Sequence, residues 1–202
     1  MALTYPVPAQ PVEVEFELKK SRFITRIGCV RDKEEAKTFV AKAHADYRDA
    51  RHHCWAYVLG NPASASHAGM NDDGEPSGTA GRPILNVIQH KGVGDVLVVV
   101  IRYFGGIKLG AGGLTRAYSA AVEQAFSVLE LEQQVIKQRA MLTLDFGQEQ
   151  KVRYWATLHE ADVVEVDYEQ QVVMTLQVPE EVLADLLAFC AAHSIKLEDH
   201  GN

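Results

Sequence analysis

Between Val12 and Leu18 apolar and acidic residues take strict turns: Val12, Val14, Phe16 and Leu18 are separated by Glu13, Glu15 and Glu17. A period of two predicts a strand with one wet face. Pro6, Pro8 and Pro11 ahead of it read as an extended lead-in. Lys19–Ser21 make a turn, and Phe23 to Val30 form the second arm of a hairpin. Asp32 and Glu35 then make a capping pair. Ala36, Phe39, Val40 and Ala43 follow at the spacing of a helical stripe. His53 to Leu59 reads as a third strand. Residues 61–81 hold almost no apolar anchors, so a long functional loop is expected there. Pro83 suits the first turn of a short helix with Ile84, Val87 and Ile88 turned inward. Val96 to Ile101 is apolar at every position, which predicts a central strand covered on both faces. Leu114, Ala117, Ala121, Ala125 and Leu129 continue as a long helix.

A polar stretch at 130–134 reads as a linker, after which the pattern restarts. A strand within Val135–Asp145 precedes a helix carrying Val152, Trp155, Ala156 and His159. Two strands, Val163–Tyr168 and Val172–Val178, turn at Glu169–Gln170. A second helix with Val182, Leu183, Leu186, Leu187 and Cys190 and a short strand at Ile195–Leu197 complete the order βαββαβ. That order is the ferredoxin-like arrangement. The fold class expected is therefore α+β in two domains, 1–134 and 135–202.

Charge sharpens the division. The 202 residues carry 20 Lys+Arg against 27 Asp+Glu, a net charge of −7. Residues 1–134 hold 15 of each sign, and residues 135–202 hold 5 basic and 12 acidic ones, so all the excess lies in the second domain. Coating nucleic acid by bulk positive charge is excluded, and any phosphate contact must be local. The acidic domain could instead engage a basic protein partner. The longest apolar run is seven residues, Leu186 to Ala192, far short of a membrane span. The first residues show neither the basic nor the apolar run of a secretory signal, and three scattered cysteines form no disulfide framework or zinc motif. A cytoplasmic protein with no membrane partner and no cofactor is expected.

The chemistry concentrates in Arg102–Arg116, where Gly105, Gly106, Gly110, Gly112 and Gly113 lie between a buried strand and a helix. Free N–H groups and the helix dipole favour an anion there. The segment lacks the Lys-Ser/Thr of a Walker loop and the third glycine of a dinucleotide fingerprint. From Val96 to Val122 there is no acidic residue, while Arg102, Lys108 and Arg116 supply three cations. Arg51 and His53 are expected as neighbours of this anion site. Asp72, Asp73 and Glu75 open two other readings. They could neutralise the three cations internally, or serve with His53 as the acid–base groups of a hydrolase of phosphoesters or peptides. A metal at His52, His67 and Asp73 has no supporting spacing, and no metal is expected. His52 and Cys54 share a strand face, with His53 on the other.

Three runs together, Arg51-His52-His53-Cys54, then Asp72 to Gly81, then Arg102 to Leu114 with Arg116-Ala117-Tyr118, resemble the signature of the IMPACT family along the whole chain. The resemblance implies a first domain of the ribosomal protein S5 domain 2-like fold and a second resembling domain V of elongation factor G. It also implies a non-enzymatic role in translation, with RNA, the ribosome or a translation factor as partner. The resemblance further implies that the eukaryotic relatives reach their protein activator through a separate N-terminal domain; no such domain, and so no such contact, is expected here.

Overall fold

The structure, a computed structural model, describes residues 3–199; Met1 and Ala2 of the opening stretch, and residues 200–202 at the end of the expected second domain, lie outside it. Two compact units separate: Tyr5–Gln134, and the described residues from Val135 onward with Leu3 and Thr4.

From Thr4 to Val135, the first unit with one residue beyond it at each end, the chain runs β1 (Thr4–Pro8), β2 (Val12–Leu18), β3 (Ser21–Cys29), α1 (Lys33–Asp46), β4 (His52–Leu59), β5 (His67–Asn71), α2 (Gly81–Lys91), β6 (Val96–Tyr103), α3 (Ala111–Phe126) and β7 (Leu131–Val135). Five strands form one antiparallel sheet in the order β2-β3-β6-β4-β5. Its centre, β6, is buried at every position but the last. Alternation along β6 divides the core in two. Val96, Val98 and Val100 meet Ile84 and Ile88 of α2 and Ala117, Tyr118 and Ala121 of α3. Leu97, Val99 and Ile101 meet Ala36 and Ala43 of α1 on the other face. Asp32 caps α1 by accepting from the N–H groups of Glu34 and Glu35, each at 2.8 Å, and the Glu35 carboxylate reaches back to the Arg31 N–H.

Two expectations change. The segment 61–81 is not a structureless loop: it contains a 3-10 turn at Pro62–Ser64 and the edge strand β5. None of the five β5 residues is fully buried, so the strand carries no hydrophobic period. The polar stretch at 130–134 is likewise mostly strand, since β7 pairs with β1 in a separate ribbon.

The second unit runs β8 (Lys137–Leu144), α4 (Glu149–Leu158), β9 (Asp162–Tyr168), β10 (Val172–Pro179), α5 (Leu183–His193) and β11 (Lys196–Asp199). The strands lie in the order β11-β8-β10-β9, all antiparallel, the ferredoxin-like topology. Leu142, Leu144, Met174 and Leu176 of the sheet pack with Val152, Trp155, Leu186 and Cys190 of the two helices. Leu187, expected inside, is exposed. The molecule is thus an α+β protein of two domains.

Candidate anion-binding cleft

The glycine segment leaves the end of β6 and turns into α3. Gly110 takes φ +71°, the left-handed region that glycine adopts without cost, and its carbonyl accepts the first helical bond from Leu114 N at 2.9 Å. No side chain caps the N-terminus of α3, and no acidic residue lies in its first turn. The N–H groups of Ala111, Gly112 and Gly113 therefore face outward with the positive end of the dipole. Gly106 also has a positive φ, with open space around it. Gly105 serves another purpose: a Cβ there would collide with the backbone carbonyl of Lys20, and its N–H donates to Ser21 Oγ at 3.2 Å.

This turn walls a cleft of about 380 Å³ whose lining includes Arg51, His52, Glu75, Arg102, Phe104, Lys108, Gly110 and Leu114. Phe104 is half exposed at its mouth. The cations divide into two kinds. Arg102 does not offer itself to solvent, in contrast to its expected role. Two residues on from Val100, it shares the α3-facing side of β6 and is only 5% exposed. Its Nη1 donates to Glu75 Oε1 at 2.6 Å, Nη2 reaches Ser21 Oγ at 3.4 Å, and the guanidinium sits between the rings of Phe23 and Phe104. Lys108, Arg116 and Arg51 are exposed, and among the described residues none of them makes an ion pair. The Arg116 guanidinium lies beside Gly112, where a Cβ would stand in ordinary contact 3.6 Å from Nη1. Internal neutralisation is thus correct for Arg102 and does not extend to the other two.

The acidic run builds the structure beneath the cleft. Asp72 Oδ1 accepts from the N–H groups of Ala80 at 3.0 Å and Gly81 at 2.8 Å, and Oδ2 from Gly78 at 2.8 Å, capping α2 from outside. Partial burial would raise its pKa, yet these three bonds hold the carboxyl below the ordinary range. Asp73 Oδ2 accepts the His53 main-chain N–H at 2.6 Å. Glu75, besides Arg102, accepts the Tyr118 hydroxyl at 2.9 Å. Burial, with Cys54 and Glu75 close by, raises the Tyr118 pKa. The Cys54 thiol, 2.9 Å from the Asp72 carbonyl, is pushed up to about 12 by burial and is not a nucleophile near neutrality. Asp72 and Glu75 are thus committed to structural bonds and are not left free as the acid–base pair of a hydrolase.

The histidines exchange places relative to expectation. His52 pairs across the ladder with Arg102, and His53 with Ile101. His52 therefore lines the cleft, while His53 lies under α1, 3% exposed, with its ring stacked on His44 at 3.8 Å. His53 is not a neighbour of the anion site. Burial, then the nearby His44, lowers its pKa below the ordinary histidine value. His52 Nδ1 is 2.8 Å from the Asp73 carbonyl; a carbonyl only accepts, so Nδ1 carries a proton. The period-2 rule was sufficient to select His52. His52, His67 and Asp73 are not gathered around one point; among the described residues the one such group joins His44, His53 and Asp73.

These features lie within a recognised domain. Residues 19–126 match the Impact N-terminal domain, and residues 142–199 match a domain of unknown function, DUF1949. The chain is 39% identical over 179 residues to an IMPACT family member of Haemophilus influenzae, covering 89% of this chain and 87% of that one. It is 38% identical over 188 residues to the IMPACT family member YigZ of Escherichia coli K12, covering 93% and 92%. A crystal structure described as that of a hypothetical protein superposes with a TM-score of 0.84 at 36% identity, covering the whole of both chains. The chain belongs to the IMPACT family. Among its described residues no helix is long and apolar enough to cross a membrane.

Proposed function

We propose that this protein takes part in translational control by binding a phosphate-bearing partner, single-stranded RNA foremost, at the cleft before α3. The observation that supports this most directly is the uncapped N-terminus of α3 flanked by the unpaired, exposed Lys108 and Arg116. Backbone N–H groups would hold one phosphate, Lys108, Arg116 and Arg51 its neighbours, and the exposed Phe104 ring would offer a face for a base to stack on. The acidic second unit repels a polyanion, so contact falls on the first unit alone, on RNA that is free or displayed on the ribosome in the cytoplasm. Family membership agrees with this role through the resemblance set out above.

The test is the salt dependence of affinity for a fluorescently labelled single-stranded RNA, followed by anisotropy. Each phosphate contact removed reduces the slope of log K against log salt by about 0.7. Lys108→Ala and Arg116→Ala are each expected to show that loss across unrelated sequences. Unchanged affinity and slope in both variants would refute the assignment.

A further inference from the structure

On the α1 side of the sheet, away from the cleft, three potential ligands converge from separate elements. His44 projects from the last turn of α1, His53 from the start of β4, and Asp73 from the turn after β5. One donor atom from each lies within 4.8 Å of the others, and His53 Nδ1 is 3.9 Å from Asp73 Oδ2. A second observation points to a missing partner: His53 is 3% exposed, and its Nε2 is buried without a hydrogen bond. Buried polar nitrogens are nearly always satisfied, and among the described residues no protein group meets Nε2. His44 is exposed, which gives an ion a path from solvent.

We propose that His44, His53 and Asp73 bind a divalent transition-metal ion of the zinc type. Two imidazoles and one carboxylate suit Zn²⁺, Co²⁺ or Ni²⁺ and leave positions open for water. Donors on a tetrahedral zinc ion with bonds near 2.0–2.1 Å stand about 3.3 Å apart, so the group must close slightly. His44 is the member free to do so, because its side chain is exposed and, among the described residues, makes no hydrogen bond or ion pair beside its stacking on His53. Asp73 is already aimed, through the bond between its carboxylate and the His53 N–H and through the bond from its own N–H to Asn71 Oδ1 at 2.6 Å. An ion at this point would tie the turn that carries Asp72 and Glu75 to α1. It would thereby brace the floor of the cleft from behind.

The experiment uses the full chain without an affinity tag, stripped with a chelator and titrated calorimetrically with Zn²⁺. Co²⁺ absorption gives a second readout of coordination by nitrogen and oxygen. One ion per chain is expected. His44→Ala, at an exposed position, is expected to fold normally and to weaken Zn²⁺ binding tenfold or more with loss of the Co²⁺ bands. His90→Ala, an exposed histidine on α2, is expected to leave both unchanged. Absence of stoichiometric uptake by the wild-type chain, or a loss below tenfold in His44→Ala, would overturn the assignment.

Discussion

Arg102→Met separates a structural arginine from an RNA-binding one. The Arg102–Glu75 pair is 2.6 Å long between side chains 6% and 4% exposed. Methionine keeps much of the aliphatic stem beside Phe23 and removes the charge, leaving the Glu75 carboxylate buried with the Tyr118 hydroxyl as its remaining hydrogen-bond donor. Breaking a buried pair from one side costs about 3–5 kcal/mol, most of it from the stranded charge. With a urea m-value of about 2 kcal/mol/M, the midpoint of the first unit should fall by about 1.5–2.5 M. The fluorescence of Trp55 in β4 reports that unit once Trp155, in α4, is changed to Phe. Adding Glu75→Gln to Arg102→Met removes the stranded charge while retaining an acceptor for Tyr118, so it should recover at least half of the loss. An Arg102→Met protein that unfolds within about 0.5 M of its parent, a shift of about 1 kcal/mol, yet binds RNA more weakly, would refute this reasoning and return Arg102 to the binding surface.

Two further perturbations probe the same scaffold. Gly105→Ala forces a methyl into the Lys20 carbonyl and is expected to lower the urea midpoint more than Gly106→Ala, which meets open space and bears only the strain of its positive φ, about 1–2 kcal/mol; the reverse order would contradict the packing described. For Asp72 the folded pKa is depressed, so its contribution is present above the unfolded value of about 4 and lost as pH falls through the folded one. Urea midpoints between pH 6 and 2.5 should accordingly show a flatter acid limb in Asp72→Asn, and identical limbs would count against the three backbone bonds.

What could be read from the residues alone follows from which forces leave a period behind. Burial does, so β2, the doubly covered β6 and the βαββαβ order of the second unit were visible. Backbone pairing at an edge does not: β5 and β7 are held by ladders that polar side chains do not reveal, and both looked like loop or linker. The direction of a charged side chain is legible where it sits on a regular element with a period. Arg102 continues the Val96–Val98–Val100 row and His52 the row of Cys54, so both directions were available from alternation. The partner of Arg102 was not, because Glu75 arrives from 27 residues away through a turn whose geometry is set by the Asp72 bonds. Lys108 lies beyond the strand, where no period constrains it, and Arg116 falls off the Leu114–Ala117–Ala121 stripe of α3, on its exposed face.

That difference decides what kind of ligand the cleft can hold. Because Arg102 and Glu75 neutralise one another at its floor, the field over the cleft comes from its rim, from Arg51, Lys108 and Arg116, and from the roughly +0.5 charge of the α3 N-terminus. Rim charges are solvated and mobile; they attract phosphate without imposing a hydrogen-bonding pattern on a base. The buried pair contributes shape instead, holding Phe104 over the guanidinium and Gly105 against the β2–β3 turn. A site with a rigid neutral base and a flexible positive edge favours backbone over sequence. Its RNA affinity should therefore follow ionic strength closely and base composition weakly, and a strong preference for one sequence at constant salt would mean that recognition occurs elsewhere.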